Sequence, residues 1–131
     1  MRALAKLTLS LRIVGVRDDG FHLIDAEMVT LDLADTLTFS EGDGLEVTGP
    51  WDVPTGEDNL VRRALAAAGR RAHVRLVKAI PPGGGLGGGS ADAAAVLRWA
   101  GVADAGVAAS LGADVPFCLA GGRARVTGSG E

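Results

Sequence analysis

Pro81-Pro82-Gly83-Gly84-Gly85-Leu86-Gly87-Gly88-Gly89-Ser90-Ala91-Asp92 is a run of glycines that ends where a helix begins. Only Leu86 interrupts the glycines between Pro82 and Ser90, so this backbone carries almost no Cβ atoms. Such a backbone reaches φ > 0 at little cost and can approach a ligand closely. Ala91-Asp92-Ala93-Ala94-Ala95-Val96-Leu97 follows, a strongly helix-forming sequence. The pattern predicts a helix over 91–99, with Ser90 as its N-cap and Asp92 as negative charge in its first turn. Glycines that run into a helix start aim free N–H groups and the positive end of the helix dipole at one place, which suits a phosphate.

Other readings of the run fit less well. A flexible linker is rarely framed by Pro81-Pro82 on one side and a capped helix on the other. Gly83, Gly85 and Gly88 match the dinucleotide pattern Gly-x-Gly-x-x-Gly formally. A dinucleotide loop follows its strand directly, whereas Ile80-Pro81-Pro82 intervenes here. It also needs an acidic residue about 20 positions on, at the end of a second strand. The nearest, Asp104, lies in an Ala/Gly-rich segment with no strand before it. Gly-Lys-Ser/Thr occurs nowhere, which excludes a Walker A loop.

Outward from the loop, strands and helices mix without strict alternation. Leu7, Leu9, Leu11 and Ile13 alternate with Thr8, Ser10 and Arg12, the period of a half-buried strand with Lys6 at its start. Asp18-Asp19-Gly20 signals a turn, and a second extended run leads from Phe21 to near Asp32. Further strands are expected at 36–39, 45–47, 72–78 and 123–127. Asn59 to Ala68 has helical periodicity with Gly69 behind it, and a short helix is expected near 107–111. The early strands run consecutively, which predicts an α+β domain with a largely antiparallel sheet.

Composition narrows the function. A chain of 131 residues, 47% apolar, is long enough for one domain with a real core. A net charge of −3 implies no general affinity for nucleic acid or anionic membrane. The apolar runs are too short to span a bilayer, and the basic start Met1 to Lys6 leads into an alternating segment rather than a signal-peptide core. The lone Cys118, between Phe117 and Leu119, excludes an internal disulfide, fits a cytoplasmic location, and reads as a structural thiol. Arginine outnumbers lysine eleven to two, which directs attention to Lys6 and Lys78 as places where a compact ammonium is needed.

Five blocks, in this order, resemble one superfamily. They are Ala5-Lys6-Leu7-Thr8-Leu9, Asp19-Gly20-Phe21-His22, Glu57-Asp58-Asn59-Leu60, Gly85 to Ala94, and Leu111-Gly112-Ala113-Asp114-Val115-Pro116-Phe117. The superfamily is that of the galactokinases, homoserine kinases, mevalonate kinases and phosphomevalonate kinases, the GHMP kinases. Its second motif is a loop of the type Pro-x-Gly-x-Gly-Leu-Gly-x-x-Ser, as in Pro81 to Ser90. Within it the blocks are most similar to the branch that phosphorylates a hydroxyl of a cytidine-diphosphate-linked methylerythritol in non-mevalonate isoprenoid synthesis. The resemblance implies an N-terminal domain with a ribosomal-protein-S5-like fold spanning residues 1–131, and ATP and Mg²⁺ as cofactors. It further implies a C-terminal domain, outside these residues, as packing partner. The chain's last residues, Gly128-Ser129-Gly130-Glu131, read as a break before such further structure.

The resemblance also implies site residues. Pro81, Gly83, Gly84, Gly85, Leu86, Gly87, Gly88, Gly89 and Ser90 would cradle the ATP phosphates, and Ser90 caps the helix or meets Mg²⁺. Asp114 is the candidate general base, against the plainer reading of an aspartate satisfying a turn before Val115-Pro116. Lys6 would lie beside it, holding the carboxylate ionised and stabilising developing charge. Thr8, Phe21 and His22 would meet the substrate, Phe21 by stacking and His22 by hydrogen bonds to cytosine. Asn59 and Lys78 would frame the adenine, although Asn59 reads equally as a helix N-cap. His73, Trp51 and Trp99 read as structural. Three features depart from the family: Thr8 replaces an Asn, Phe21 replaces a Tyr, and the stretch from Trp99 to Leu111 is short.

Overall fold

The computed structural model describes residues 1–16, 22–83, 85–121 and 123–130; within these, residues 9–16, 22–27 and 123–130 are described by their backbone alone. The turn expected at 18–20, together with Phe21 and Gly84, lies outside the described residues. The elements in chain order are β1 (Arg2–Val16), β2 (His22–Ser40), β3 (Gly44–Thr48), α1 (Leu60–Ala68), β4 (His73–Val77), α2 (Gly88–Ala100), α3 (Ala105–Leu111), α4 (Val115–Ala120) and β5 (Arg123–Gly130).

One five-stranded sheet, ordered β1-β2-β4-β3 with β5 also on β2, forms one layer. The expected α+β class and largely antiparallel sheet are found. The exception is the β3–β4 pair, which is parallel because α1 connects the two strands as a crossover. The two runs expected before Ser40 are a single strand. Along one edge of β2, His22 to Val29 pairs with β5 and Thr36 to Ser40 pairs with β4, while β1 follows the opposite edge. The last strand reaches Gly130, beyond the expected 127.

Alternation sets the inward face. Leu37 on β2, Leu45 on β3, and Val74 and Leu76 on β4 are buried. Helix α2 packs on β1, β2, α1, α3 and α4. Its buried residues include every position from Ala91 to Leu97, so it is a central helix without a solvent stripe. Alanines there meet Ala3 and Ala5 of β1 in the same core, and small residues on both sides permit close approach. Asn59 caps α1 by accepting from Val61 N at 2.8 Å, and Gly69 ends it at φ 65°. Asp104 caps α3, accepting from Gly106 N and Val107 N. Trp99 stacks on Phe39 with ring centroids 4.4 Å apart, and the Arg70 guanidinium covers it; Trp51 is exposed. No helix among the described residues is long and apolar enough to cross a membrane.

Candidate active site

The glycine run lies across the open edge of β1. Lys6 N donates to Leu86 O at 2.8 Å, which ties the loop to the strand. The helix start differs from expectation. Gly87 is the N-cap of α2, in the left-handed region at φ 69°, and no side chain caps the helix. Ser90 is the third helical residue rather than the cap, and Asp92 is a turn inside, buried, rather than at the exposed end. The loop must take φ > 0 at Gly83, Gly85 and Gly87, a conformation that glycine adopts cheaply. The first amide used within the helix is that of Ala91, bonded to Gly87 O at 2.8 Å. The N–H groups of Gly88, Gly89 and Ser90 therefore have no acceptor inside the helix.

These groups border a cleft of about 370 Å³, whose lining includes Asn59, Lys78, Pro81, Gly83 and Asp92 besides the loop and Ser90. Loop and lysines are in direct contact. A Cβ on Gly87 would lie 2.8 Å from Lys6 Cγ, and one on Gly88 would lie 2.7 Å from Lys78 Nζ. Both lysines of the chain thus pack beneath consecutive glycines, a relationship that lysine scarcity hinted at and spacing alone did not contain.

Lys6 and Asp114 come together. The register of β1 on β2 slips between Leu4 and Lys6, and there Ala5 and Lys6 are consecutive buried residues. This break in alternation aims the Lys6 side chain beneath the loop, as irregular registers commonly do beside sites. Its Nζ stands 3.2 Å from Asp114 Oδ2 and 3.3 Å from Thr8 Oγ1. Asp114 occupies the N-cap of α4, a helix that begins where the plainer sequence reading placed only a turn before Val115-Pro116. Pro116 is in fact the second helical residue, where its missing N–H costs nothing. The Asp114 side chain makes no capping bond and is about one-third exposed (31%), so its carboxylate faces Lys6 and solvent.

Lys78 stands deeper. Its Nζ lies 2.7 Å from Asp35 Oδ2 and 3.0 Å from Asp92 Oδ2, with all three side chains buried. Asp35 Oδ1 accepts from Ala79 N and Ile80 N at 2.7 and 2.8 Å. Although burial opposes it, hydrogen bonding and the Lys78 charge hold the Asp35 carboxyl below its ordinary range. Burial first, then the neighbouring Asp35, pushes Asp92 up to about 8. Sequence reasoning missed Asp35. The available signal was an acidic residue in register with the inward-facing Leu37 and Phe39.

The remaining expected residues are placed as follows. Asn59 both caps α1 and borders the cleft. His22 begins β2 opposite Val16, and its side chain lies outside what is described. Among the described residues no cluster of three acidic, histidine or cysteine side chains could hold a metal ion. His73 pairs with Glu46 at the sheet edge.

Residues 59–122 match the family model described as the GHMP kinases N terminal domain, and the chain belongs to the GHMP kinase family. Within that family, it is homologous to the N-terminal half of the 4-diphosphocytidyl-2-C-methyl-D-erythritol kinases. The relative from Paracoccus denitrificans is 48% identical over 97% of this chain and 47% of its own length. That from Paramagnetospirillum magneticum is 46% identical over 100% of this chain and 52% of its own. A crystal structure of 4-(cytidine 5'-diphospho)-2C-methyl-D-erythritol kinase superposes with a TM-score of 0.76 at 41% identity, covering 100% of this chain and 52% of that one. The chain therefore spans about half the length of the relatives it matches.

Proposed function

We propose that this chain is the ATP-binding half of a kinase that transfers the γ-phosphoryl group of ATP to a hydroxyl of 4-diphosphocytidyl-2-C-methyl-D-erythritol. The observation that carries the reading is the contact of the glycine loop with the Lys6–Asp114 pair. Gly87 lies against the Lys6 stem, and Lys6 reaches Asp114 at 3.2 Å. A phosphate held by the loop and a hydroxyl beside Asp114 would be neighbours. A cytoplasmic location accords with the single thiol.

Phosphoryl transfer asks for positioning and charge stabilisation rather than covalent chemistry. The N–H groups of Gly88, Gly89 and Ser90 would bind phosphate oxygens, aided by the dipole of α2. Asp114 would accept the proton of the attacking hydroxyl. Lys6 would offset charge building on the transferring group. Thr8, Phe21 and His22 would orient the cytidine-bearing substrate. Lys78 would fix the loop from below, with Asn59 at the adenine side of the cleft. A metal that keeps its waters and borrows phosphate oxygens needs few protein ligands, so a single Ser90 hydroxyl on the cleft wall fits Mg²⁺. When bound, Mg²⁺ neutralises phosphate charge.

The test is mass-spectrometric detection of phosphorylated product from ATP, Mg²⁺ and 4-diphosphocytidyl-2-C-methyl-D-erythritol. Product that disappears in Asp114→Asn supports the kinase reading. Absence of both product and ATP binding overturns it. A second reading is favoured by the half-length match: a nucleotide-binding unit that turns over only together with the remaining half of the relatives' length. Its mark is ATP binding without product.

A further inference from the structure

The buried group beneath the loop has an imbalance of charge. Two carboxyl groups, Asp35 and Asp92, share one ammonium, Lys78, and all three are at least nine-tenths buried. Two ionised carboxylates against one cation would leave a net negative charge in the core, which is strongly unfavourable. The hydrogen bonds indicate which carboxyl gives way. Asp35 is saturated as an anion, with Ala79 N and Ile80 N on one oxygen and Lys78 Nζ on the other. Asp92 has Lys78 on Oδ2, while its buried Oδ1 has no hydrogen-bond partner among the described residues. Both carboxyl groups contact the same ammonium, Asp35 at 2.7 Å and Asp92 at 3.0 Å.

The trio also spans the parts that hold the loop. Asp35 is on β2 and binds the backbone leaving β4 at Ala79 and Ile80, immediately before the glycine run. Asp92 is one turn inside α2, immediately after it. Lys78 joins them, with its Nζ against Gly88, where an added Cβ would also stand 3.0 Å from Ile80 Cγ2. Around α2, Lys6 of β1 pairs with Asp114, α3 carries no ionisable group, Arg62 of α1 donates to Thr55 O while Arg63 is exposed, Arg98 of α2 donates to Cys118 O and Arg2 O, and burial pushes the Cys118 thiol of α4 up to about 12.

We propose that Asp35, Lys78 and Asp92 are one positioning unit for the glycine loop, in which Asp35 and Lys78 carry opposite charges and Asp92 carries the proton. The unit clamps both ends of the loop to one ammonium and so sets where the N–H groups of Gly88, Gly89 and Ser90 stand. It deepens the kinase reading, on which the loop's role as phosphate cradle rests; the proton assignment itself is independent of that reading. Burial and the neighbouring Asp35 keep Asp92 neutral, which leaves the Lys78 charge to Asp35 on β2.

The experiment is carbon-13 carboxyl NMR of aspartate-labelled chain without nucleotide, titrated from pH 4 to pH 10, with glycine amide shifts recorded in parallel. One aspartate carboxyl should keep its protonated shift at pH 6.5, and its signal should vanish in Asp92→Asn. The amides of Gly87, Gly88 and Gly89 should move with the same midpoint, and Asp92→Asn should hold them at their low-pH positions across the range. Aspartates that all titrate below about pH 5 would overturn the proton assignment. Amides that stay still through the Asp92 titration would overturn the positioning role. The wild-type titration needs no variant, so misfolding of a mutant does not obscure the outcome. ATP binding is measured separately on the same sample, and its failure would count against the kinase reading alone.

Discussion

Asp114 Oδ2 stands 3.2 Å from Lys6 Nζ, joining the start of α4 to β1. An N-cap aspartate usually spends its carboxylate on the helix, yet this one makes no capping bond. Its carboxylate, unspent on the helix and partly exposed, is placed to accept a proton from a neighbouring hydroxyl. Asp114→Asn should lower turnover roughly 10²- to 10⁴-fold, the usual range for loss of a general base. ATP should still raise the melting temperature of the variant. Steady-state kinetics and a thermal shift with ATP check this together, and undiminished turnover would remove Asp114 from the role. Lys6→Met should also lower turnover, whereas a purely structural Lys6 would change only the melting temperature.

The glycines of the loop are not equivalent. Gly85 needs φ +74° but a Cβ there meets nothing within 4 Å. Gly85→Ala should cost only the left-handed backbone term, about 1–2 kcal/mol. Gly88 has no such φ, but its Cβ would strike the pinned Lys78 ammonium at 2.7 Å and Ile80 at 3.0 Å. Gly87 combines both problems, with φ +69° and a Cβ 2.8 Å from Lys6 Cγ. Gly87→Ala and Gly88→Ala should therefore lower the melting temperature and ATP affinity more than Gly85→Ala. Equal effects from all three would mean that backbone conformation alone governs the loop.

What was legible in the sequence was local. The period of β1, the Asn59 cap and Gly69 stop of α1, and the glycine run that leads into α2 follow from neighbouring residues. The placement of Lys6 beside Asp114 came from the resemblance, since no spacing rule connects a strand start with a helix start so far along the chain. The errors share a cause: local rules were outvoted by contacts from elsewhere. Ser90 has the side chain of a cap, but Gly87 caps because only a glycine combines φ > 0 with room for the Lys6 stem. The extended run expected to end near Asp32 instead continues through Asp35, which faces inward to Lys78 at the end of the neighbouring strand β4. Burial of a charge is decided by its partner, and the partner is invisible to periodicity.

Cys118 gives a test of the α4 packing. Burial, reinforced by the Asp114 charge, pushes its thiol up to about 12, so at pH 8 almost none is thiolate. A maleimide or disulfide reagent should label the folded chain far more slowly than a free thiol, and labelling should reach the free-thiol rate once denaturant unfolds the chain. Rapid labelling of the folded chain at pH 8 would mean that α4 does not hold Cys118 as described.

The buried carboxyl pair makes stability depend on pH in an unusual direction for an aspartate. Asp92 moves from an ordinary 3.8 in the unfolded chain to about 8 when folded. Below about pH 4 both states bind the proton and the group has no effect on stability. Between about pH 4 and 8 the folded chain keeps a proton that the unfolded chain has lost. The contribution of Asp92 therefore falls as pH rises, by up to about 1.4 kcal/mol per pH unit, and levels off above the folded value. Asp35 runs the other way, its lowered carboxyl contributing stability that is lost only as pH falls into the acid range. Asparagine resembles the neutral acid and cannot ionise in the unfolded chain. Asp92→Asn should thus gain on the wild type from pH 5 to pH 8, visible as a widening difference in melting temperature across buffers of matched ionic strength. A difference that stays constant over this range, or narrows, would mean that Asp92 is ionised in the folded chain and that Lys78 is shared by two charges after all.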